Sequence, residues 1–315
     1  MPLDPEADPL SDPDVAEIRA FNRFHTGLVG ALDNHFLGSD YTLPQMRVLY
    51  EIAHAPEDAP VTAVQLTEAL GMDKGYLSRI LKRLEKDGLV VRRALPGGGR
   101  QRALVLTEAG RAEYAGYDRA SAQSVATCIA HLPPVARAEL VSAMRRIRLM
   151  LDPGPRPEAV LRAPRPGELS LVAHRQIALY GLDYGWRGAF EGLVLEITGQ
   201  FLRGFDPAKE AAWVADMGGE VVGSVFLCDG GDGVAKLRLL YLDALARGQG
   251  LGRRLVTECM DHARRLGYRH MILWTNDPLT EARRLYASLG FTCTASQPHA
   301  DFGVEMTGET WECAL

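Results

Sequence analysis

A glycine-rich turn in the second half of the chain has the composition of an anion-binding site. It has the sequence Arg247-Gly248-Gln249-Gly250-Leu251-Gly252, follows an apolar run at residues 236–242 and precedes a predicted helix at residues 251–266. The free N–H groups at the start of a helix point outward, and the helix dipole places about half a positive charge there. Glycines let a phosphate approach the backbone closely. The turn therefore predicts a site for a pyrophosphate.

A dinucleotide-binding turn is the main alternative for this motif. That turn has the spacing GxGxxG directly after a strand, and an acidic residue ends the next strand about 20 residues later. Here the spacing is GxGxG, an arginine precedes the first glycine, and the next apolar run, residues 270–274, continues into Thr275 and Asn276. The sequence therefore disfavours a nicotinamide dinucleotide.

The elements around the turn alternate between helical and β-type patterns, with strand-like runs at residues 221–227, 237–242 and 270–274. In the order of its elements the chain resembles the GNAT acetyltransferases over about residues 167–315. That order is a strand, R-G-x-G-x-G, a helix, a strand, Asn, a helix with Tyr, and Gly-Phe. The resemblance rests on KLRLLYLDALARGQGLGRRLV, ILWTN, EARRLYASLGF and the closing run ETWECAL. It implies an α+β or α/β fold with a mixed central sheet, acetyl-CoA as cosubstrate and an amine as acetyl acceptor.

The GNAT resemblance also implies roles for individual residues. The CoA pyrophosphate would be bound by Arg247, Gly248, Gln249, Gly250, Leu251 and Gly252. The pantetheine arm would pair with the end of the preceding strand, at Leu240, Tyr241 and Leu242, which would also offer a backbone N–H to the thioester carbonyl. Asn276 would hydrogen-bond the pantetheine region, and Tyr286 would be the general acid.

The chemistry of acyl transfer fits these implied roles. An amine attacks the thioester, negative charge develops on the carbonyl oxygen, and a fixed backbone donor stabilises that charge. A phenol, with an ordinary pKa of about 10, can protonate a leaving thiolate of similar basicity. Core packing is the alternative for Tyr286, which shares a helical face with Ala282 and Leu289. Its position between Asn276 and the Gly-Phe pair favours the acid.

The general base stays open between Asp243, Glu191 and Glu196. A base must lie near the incoming amine or reach it through water, but a solvated surface carboxylate is the favoured interpretation for each of these residues. Recognition of the acceptor is predicted for residues 174–186 and the surroundings of Phe190. The aromatic residues there line either an amine pocket or the core.

A basic helix-turn-helix pattern occupies the first half. Helices are predicted at residues 61–71, with a Thr62–Gln65 capping box, and at residues 74–88, capped by Asp73. The second helix has one apolar face and one mostly basic face. Residues 73–102 include nine basic and three acidic residues, although the whole chain has a net charge of −5. A basic hairpin follows, with β-type runs at residues 89–94 and 101–106, and the combination is typical of DNA binding.

These motifs resemble the MarR family of winged-helix regulators over about residues 14–151. The resemblance rests on LTEALGMDKGYLSRILKRLEKDGLVVRR, the hairpin and LTEAGR. It implies a mainly α winged helix-turn-helix that binds a double-stranded DNA operator and forms a homodimer through long helices, predicted at residues 14–36, 108–131 and 135–151. The implied DNA-binding residues are Lys74, Ser78, Arg79, Lys82, Arg83, Arg100 and Arg102. The wing departs from the family, because Gly99-Arg100-Gln101-Arg102 lacks the acidic member of the usual Asp-x-Arg motif.

Composition divides the chain and indicates its compartment. Residues 150–166 contain five prolines, so a linker at residues 152–166 is predicted between a MarR-like domain, 13–151, and a GNAT domain, 167–315. Residues 1–12 are acidic and proline-rich, and we expect them to be disordered. Five scattered cysteines without a CxxC pair predict neither disulfides nor a metal site. With no signal peptide or membrane span, a bacterial, cytoplasmic, nucleoid-associated protein is predicted.

The leading hypothesis is a bifunctional transcriptional regulator and N-acetyltransferase that acts on an amine, preferably a small molecule, by direct attack. One alternative is a regulator whose GNAT half senses acetyl-CoA or another ligand without turnover. Another is an enzyme whose first half only dimerises. The presence of both Asn276 and Tyr286 favours turnover, because a sensor needs the pyrophosphate site but not the acid.

Overall fold

The computed structural model describes residues 12–32, 35–95, 101–152 and 154–315, which form two compact units divided between Pro133 and Pro134. Of the predictions above, the disorder of residues 1–11 and the DNA contact of Arg100 lie outside the described residues. Each unit has hydrophobic core clusters of its own. No helix in these described ranges is both long enough and apolar enough to cross a bilayer.

The first unit is mainly helical. In chain order its elements are α1 (Pro13–Leu28), α2 (Leu43–His54), α3 (Ala63–Leu70), α4 (Lys74–Lys86), β1 (Val90–Ala94), β2 (Arg102–Leu106) and α5 (Glu108–Ile129). Strands β1 and β2 form the predicted antiparallel hairpin. The structure confirms both predicted caps. The backbone N–H of Thr62 donates to Gln65 Oε1 at 2.8 Å, and the backbone N–H of Tyr76 donates to Asp73 Oδ1 at 3.0 Å.

Helix α1 is shorter than the sequence pattern predicted. It begins after Asp12, which caps it, but ends at Leu28 instead of continuing to residue 36. Gly30, with φ of 61°, follows the helix end in the left-handed conformation that commonly terminates helices. The long apolar side chains of α1 stay exposed, among them Ile18 and Phe21.

The second unit is a seven-stranded sheet with helices packed on it. Its elements are α6 (Pro134–Leu151), β3 (Ala159–Arg162), α7 (Glu168–Tyr184), α8 (Ala189–Gly204), β4 (Ala211–Met217), β5 (Glu220–Asp229), β6 (Val234–Leu242), α9 (Leu251–Arg265), β7 (His270–Asn276), α10 (Thr280–Ser288), β8 (Thr292–His299) and β9 (Met306–Ala314). The strand order is β3-β4-β5-β6-β7-β9-β8, and β6 with β7 is its parallel pair. This mixed sheet confirms the predicted fold class.

The two faces of the sheet are covered by different helices. Leu255 and Cys259 of α9 are fully buried in one core cluster with alternate residues of β4 and β5. Val172 of α7 and Phe201 of α8 pack on the opposite face, where Phe226 is fully buried. Because side chains alternate along a strand, the two clusters use alternate positions of the same strands.

The segment around the predicted linker is more structured than its prolines indicated. Strand β3 pairs antiparallel with β4 and forms an edge of the sheet, which is where flanking prolines are tolerated. Helix α6, which the sequence analysis assigned to the first domain, groups with the second unit. Ser142 Oγ of α6 donates to Glu220 Oε1 of β5 at 2.7 Å. The predicted domain boundaries at residues 151 and 166 stay predictions.

Candidate functional site

The candidate site lies where strands β6 and β7 stop pairing with each other. Their parallel ladder begins at Val234↔His270 and ends at Leu237↔Leu273. Beyond that point β7 continues to pair with β9 as far as Asn276, whereas β6 pairs only with β5. The sheet therefore splits, and its polar backbone groups face an open cleft at the carboxyl end of β6.

A β-bulge turns the backbone of β6 at the start of the split. The ladder between β5 and β6 shifts register between Ser224 and Phe226, so that Leu239 and Leu240 together oppose Val225. Leu239 has φ of 45°, a conformation that is rare for a residue with a side chain. Such backbone strain costs about 1–3 kcal/mol and clusters at functional sites. The bulge frees backbone near Leu240 from the sheet.

Ser224 holds the bulge from the neighbouring strand. Its side chain is fully buried, and its hydroxyl donates to the carbonyl oxygen of Leu239 at 3.1 Å. A buried carbonyl without a donor is costly, so the serine stabilises the strained conformation. The role of this residue was not predictable from the sequence, because a single serine within a strand matches no motif.

The glycine turn presents an uncapped helix start to open space. Helix α9 begins at Leu251, its N-cap residue is Gly250, and no side chain caps its first turn. Gly248 and Gly250 have φ of 76° and 70°. A Cβ atom added at either glycine would meet no atom within 4 Å. The exposed turn therefore leaves room for a large anion at the start of α9.

A cleft of about 290 Å³ runs from this turn along β6. Five of the predicted cofactor-binding residues line it: Leu240, Leu242, Arg247, Gly248 and Gly252. The cleft is closed on its other side by residues of α7 and α10. The guanidinium of Arg247 lies 3.5 Å from the carboxylate of Asp183 on α7.

Three other predicted residues place their side chains elsewhere. Tyr241 is buried in the core, and its hydroxyl donates to Asp243 Oδ2 at 3.2 Å. Leu251 is buried in the core under α9. The side chain of Gln249 is exposed and donates from Nε2 to the carbonyl of Leu245 at 3.4 Å. Only the backbone of these residues is available to a ligand in the cleft.

A smaller pocket of about 90 Å³ adjoins the cleft. Tyr180 and Leu240 are among the four residues that line both. Tyr286 and Asn276 also line this pocket, so the structure brings the predicted acid and the predicted pantetheine contact to the bulge. Trp186, one of the aromatic residues left open by the sequence, lines the pocket and also packs in the core.

Tyr286 is held in a nonpolar environment. Its ring is buried, with 5% of its surface exposed. This burial, together with the neighbouring phenol of Tyr180, raises the pKa of Tyr286 well above its ordinary value. The phenol is therefore protonated at any physiological pH. Helix α10 is tied to β9 by Arg283, whose guanidinium makes two hydrogen bonds of 2.9 Å to the carboxylate of Glu309.

Asn276 is fixed by a histidine that the sequence analysis did not identify. Its side chain is buried, and Oδ1 accepts a hydrogen bond from His299 Nε2 at 2.8 Å. His299 Nδ1 lies 3.4 Å from the Asp301 carboxylate. Asn276 is at the end of β7 and His299 at the end of β8, on either side of β9. Only the sheet order brings them together.

Comparison with known proteins agrees with these two units. A model of the MarR family matches residues 39–101, and a model of the acetyltransferase (GNAT) family matches residues 182–291. An uncharacterized N-acetyltransferase of Schizosaccharomyces pombe is 34% identical over 122 residues, which are 38% of this chain and 74% of that protein. The chain belongs to the GNAT acetyltransferase family. It joins an N-acetyltransferase domain to a MarR-family domain, as the motifs predicted.

Two other acetyltransferases are matched over shorter parts of their own length. The uncharacterized N-acetyltransferase YjgM of Escherichia coli is 34% identical over 101 residues, 31% of this chain and 57% of that protein. A mycothiol acetyltransferase of Geodermatophilus obscurus is 32% identical over 167 residues, 50% of this chain and 53% of that protein. The chain thus spans little more than half of these two relatives.

Solved GNAT structures align with half of the chain. An acetyltransferase of the GNAT family from Staphylococcus aureus is 12% identical, with a TM-score of 0.42, and covers 50% of this chain and 99% of its own. A GNAT phosphinothricin acetyltransferase from Sinorhizobium meliloti, solved in complex with acetyl-CoA, is 20% identical, with a TM-score of 0.41, and covers 50% of this chain and 88% of its own.

Within the GNAT domain, Asp243 is committed to structural contacts. Arg146 Nη2 donates to Asp243 Oδ2 at 2.9 Å, and the backbone N–H of Leu245 donates to Oδ1 at 3.0 Å. Burial by itself raises the pKa of Asp243, but these donors outweigh it and hold the pKa below its ordinary value. A carboxylate so placed is a poor proton acceptor.

The other two predicted bases lie outside both pockets. Glu191 and Glu196 are exposed on α8, and Glu196 Oε1 accepts a hydrogen bond from Gln200. Among the described residues that line the smaller pocket, none carries a carboxylate. The structure therefore brings none of the three predicted bases to the acid and the bulge.

In the MarR domain, α4 buries one face and exposes the other. Leu77, Ile80, Leu81 and Leu84 pack in the core of the unit. The opposite, exposed face carries the predicted DNA contacts Lys74, Ser78, Arg79, Lys82 and Arg83, and Arg102 is exposed on β2. Arg83 differs from the others, because its Nε donates to Asp87 Oδ2 at 2.6 Å. Part of its charge is thus neutralised within the helix.

We predict that Ser224→Ala destabilises the GNAT domain by about 1–3 kcal/mol, because the partly buried Leu239 carbonyl loses its donor. A matched control is Thr198→Val, since Thr198 is also buried but donates to the carbonyl of Val194 within α8. All four tryptophans lie in the second unit. Tryptophan fluorescence during urea unfolding therefore reports on this unit, and an equal loss for both variants would reject the special role of Ser224.

Proposed function

We propose that this protein is a bifunctional transcriptional regulator that also transfers the acetyl group of acetyl-CoA to a small amine. One observation supports the enzymatic half most strongly. The uncapped turn, the bulge at Leu240 and the phenol of Tyr286 line two adjoining pockets at the split of the sheet. A donor thioester and an acceptor amine would meet at this junction.

The residues of the larger cleft fit the shape and charge of CoA. Two linked phosphates are matched by the accessible N–H groups between Gly248 and Gly252, where the helix dipole adds positive charge. Arg247 adds a side-chain cation at the same end. The pantetheine arm is an extended chain with amide groups, and it would pair with the unpaired edge of β6 near Leu240 and Leu242. Asn276 would hold its distal end.

The reaction would proceed by direct attack of the amine on the thioester. Acetyl-CoA supplies the activated acetyl group. The backbone N–H released by the bulge would stabilise the negative charge on the carbonyl oxygen. Tyr286 would protonate the leaving thiolate. Burial disfavours the charged form of an acid, so it raises the pKa of the phenol and also the pKa of a thiol that leaves beside it. The pKa values of the two groups therefore stay similar.

Loss of the amine proton would not require a carboxylate in the pocket. None of the predicted bases lies in the described lining of the smaller pocket. We therefore propose that the ammonium form of the acceptor loses one proton to water before the neutral amine attacks. The rate would then rise with pH as the fraction of neutral amine increases. A sensor without turnover is the alternative, and the placement of Tyr286 beside the bulge argues against it, because binding alone needs no buried acid.

We predict that Tyr286→Phe lowers kcat for acetyl transfer by about 10²–10⁴-fold while the affinity for acetyl-CoA is retained. Since an acid acts in its protonated form and burial raises the pKa of Tyr286, the rate of the wild type should rise with pH and show no alkaline decline up to about pH 10. Thiol release from acetyl-CoA across a panel of amines measures the rate, and calorimetry measures the affinity.

Tyr268→Phe is the control for this experiment. Its hydroxyl donates to the carbonyl of Lys209, away from both pockets, so kcat should not change. Unchanged transfer by Tyr286→Phe would reject the phenol as the acid. Transfer by the wild type to no amine at all would favour the sensor.

The regulatory half would bind double-stranded operator DNA through α4 and the hairpin. The exposed basic face of α4 has the charge and shape to enter a major groove. A homodimer would present two such helices, and the exposed apolar side chains of α1, including Ile18 and Phe21, fit a surface that a second copy covers. Operator binding would place the protein at the nucleoid of a bacterial cytoplasm.

We predict that Arg79→Ala combined with Lys82→Ala makes the dependence of log K on log salt shallower by about 2, because two phosphate contacts are lost. Arg83→Ala should have a smaller effect, since Asp87 already pairs with this arginine. Fluorescence anisotropy with a random-sequence duplex gives the slopes. Arg119→Ala, an exposed arginine on α5, is the control. Binding that is unaffected by salt or by the double substitution would indicate that the first half only dimerises.

A further inference from the structure

The smaller pocket contains two polar groups whose chemistry the proposed reaction does not yet use. Gln176 of α7 and Arg238 of β6 both line it, next to the bulge and Tyr286. Most of the remaining wall is aromatic or aliphatic. In such surroundings each polar group needs a complementary partner.

Arg238 is a half-buried cation without a counterion in the described parts of the chain. It lies opposite Phe226 in the β5–β6 ladder, so the two side chains share a face of the sheet. Phe226 packs there against Phe201 of α8. By contrast, Arg162 and Arg283 of the same unit are each paired with carboxylates. The positive charge of Arg238 is left for a ligand.

Gln176 carries an unpartnered acceptor. Its side chain is 5% exposed, and Oε1 has no hydrogen-bond partner in the described structure. A buried acceptor without a donor costs about 1–3 kcal/mol. This oxygen needs an N–H or O–H group, and an acceptor amine is a donor of that kind.

We propose that the acetyl acceptor is a small amine that also carries a carboxylate, as an amino acid does. Arg238 binds the carboxylate, and the side-chain carbonyl of Gln176 accepts a hydrogen bond from the amine. This inference rests on the acetyl-transfer function proposed above. The pocket volume of about 90 Å³ is below the roughly 150 Å³ that accommodates benzene, so the acceptor is small or inserts one end only.

The same charges exclude other amines. A polyamine or an aminoglycoside carries several positive charges, and the described lining of the pocket offers them a cation and no carboxylate. In the reaction the ammonium form of the acceptor first loses one proton to water. The neutral nitrogen then forms a bond to the acetyl carbon, the C–S bond breaks, and the nitrogen loses a second proton to water. The thiolate takes its proton from Tyr286, which water reprotonates. Neither Arg238 nor Gln176 contacts the sulfur that leaves. Both orient the acceptor nitrogen.

The test compares each acceptor with its own amide. Glycine, L-alanine and L-serine are assayed beside glycinamide, L-alaninamide and L-serinamide, with thiol release from acetyl-CoA as the readout. Because a hydrogen bond to a charged group contributes about 1.5–3 kcal/mol, the wild type should favour at least one acid over its amide by about 10–150-fold in kcat/KM.

Two substitutions then assign the preference. Arg238→Met should remove the preference by lowering kcat/KM for the acid, with the amide within about threefold of the wild-type value; retained turnover of the amide shows that this variant is folded. Gln176→Met should lower kcat/KM for both the acid and the amide, since both carry the same amine N–H. Arg203→Met, an exposed arginine at the end of α8, should change neither.

Four results would overturn the inference. A wild type that uses amides as well as acids, or a preference that persists in Arg238→Met, rejects carboxylate recognition while the acetyltransferase stands. Transfer to polyamines or peptide lysines but to none of the amino acids does the same. Transfer to no amine of any kind rejects the proposed function and this inference with it.

Discussion

The separation of strand β6 from β7 is the structural feature on which the candidate site depends. A continuous sheet would satisfy its backbone groups internally and leave no edge for a ligand. Here the bulge places Leu239 at φ of 45°, and the buried hydroxyl of Ser224 binds the carbonyl that the bulge turns away. The glycine turn and α10 then line the opening. Leu240, the residue after the strained Leu239, lines both pockets.

Burial gives the site its chemistry as well as its shape. The nonpolar surroundings that raise the pKa of Tyr286 keep it protonated, and the same surroundings make an unpaired cation or carbonyl costly. Structural polar groups such as Asp243 are satisfied by neighbours within the chain. In the described residues, Gln176 Oε1 has no hydrogen-bond partner and half-buried Arg238 has no counterion. Because Arg146 Nη1 is also buried without a partner among the described residues, it is their position in the smaller pocket that marks Gln176 and Arg238 as groups that would hold a substrate.

Local signals in the sequence predicted much of this architecture, because they depend on neighbouring residues. The capping box at Thr62, the two faces of α4 and the glycine turn before α9 all lie where their motifs indicated. Long-range pairing was not predictable in the same way. The contact of Asn276 with His299 depends on the strand order, and β3 forms within a proline-rich segment because β4 offers it an edge.

Calorimetric titration of acetyl-CoA into the full chain and two glycine variants tests most directly whether the start of α9 binds the CoA pyrophosphate. Gly250→Ala and Gly267→Ala both introduce a side chain at positive φ, where a Cβ atom meets nothing within 4 Å, so they impose the same strain at opposite ends of α9. Gly250→Ala should weaken binding by about tenfold or more, because the methyl group blocks the helix N-terminus from the pyrophosphate, and Gly267→Ala should bind like the wild type. Equal affinities for the two variants would contradict the account.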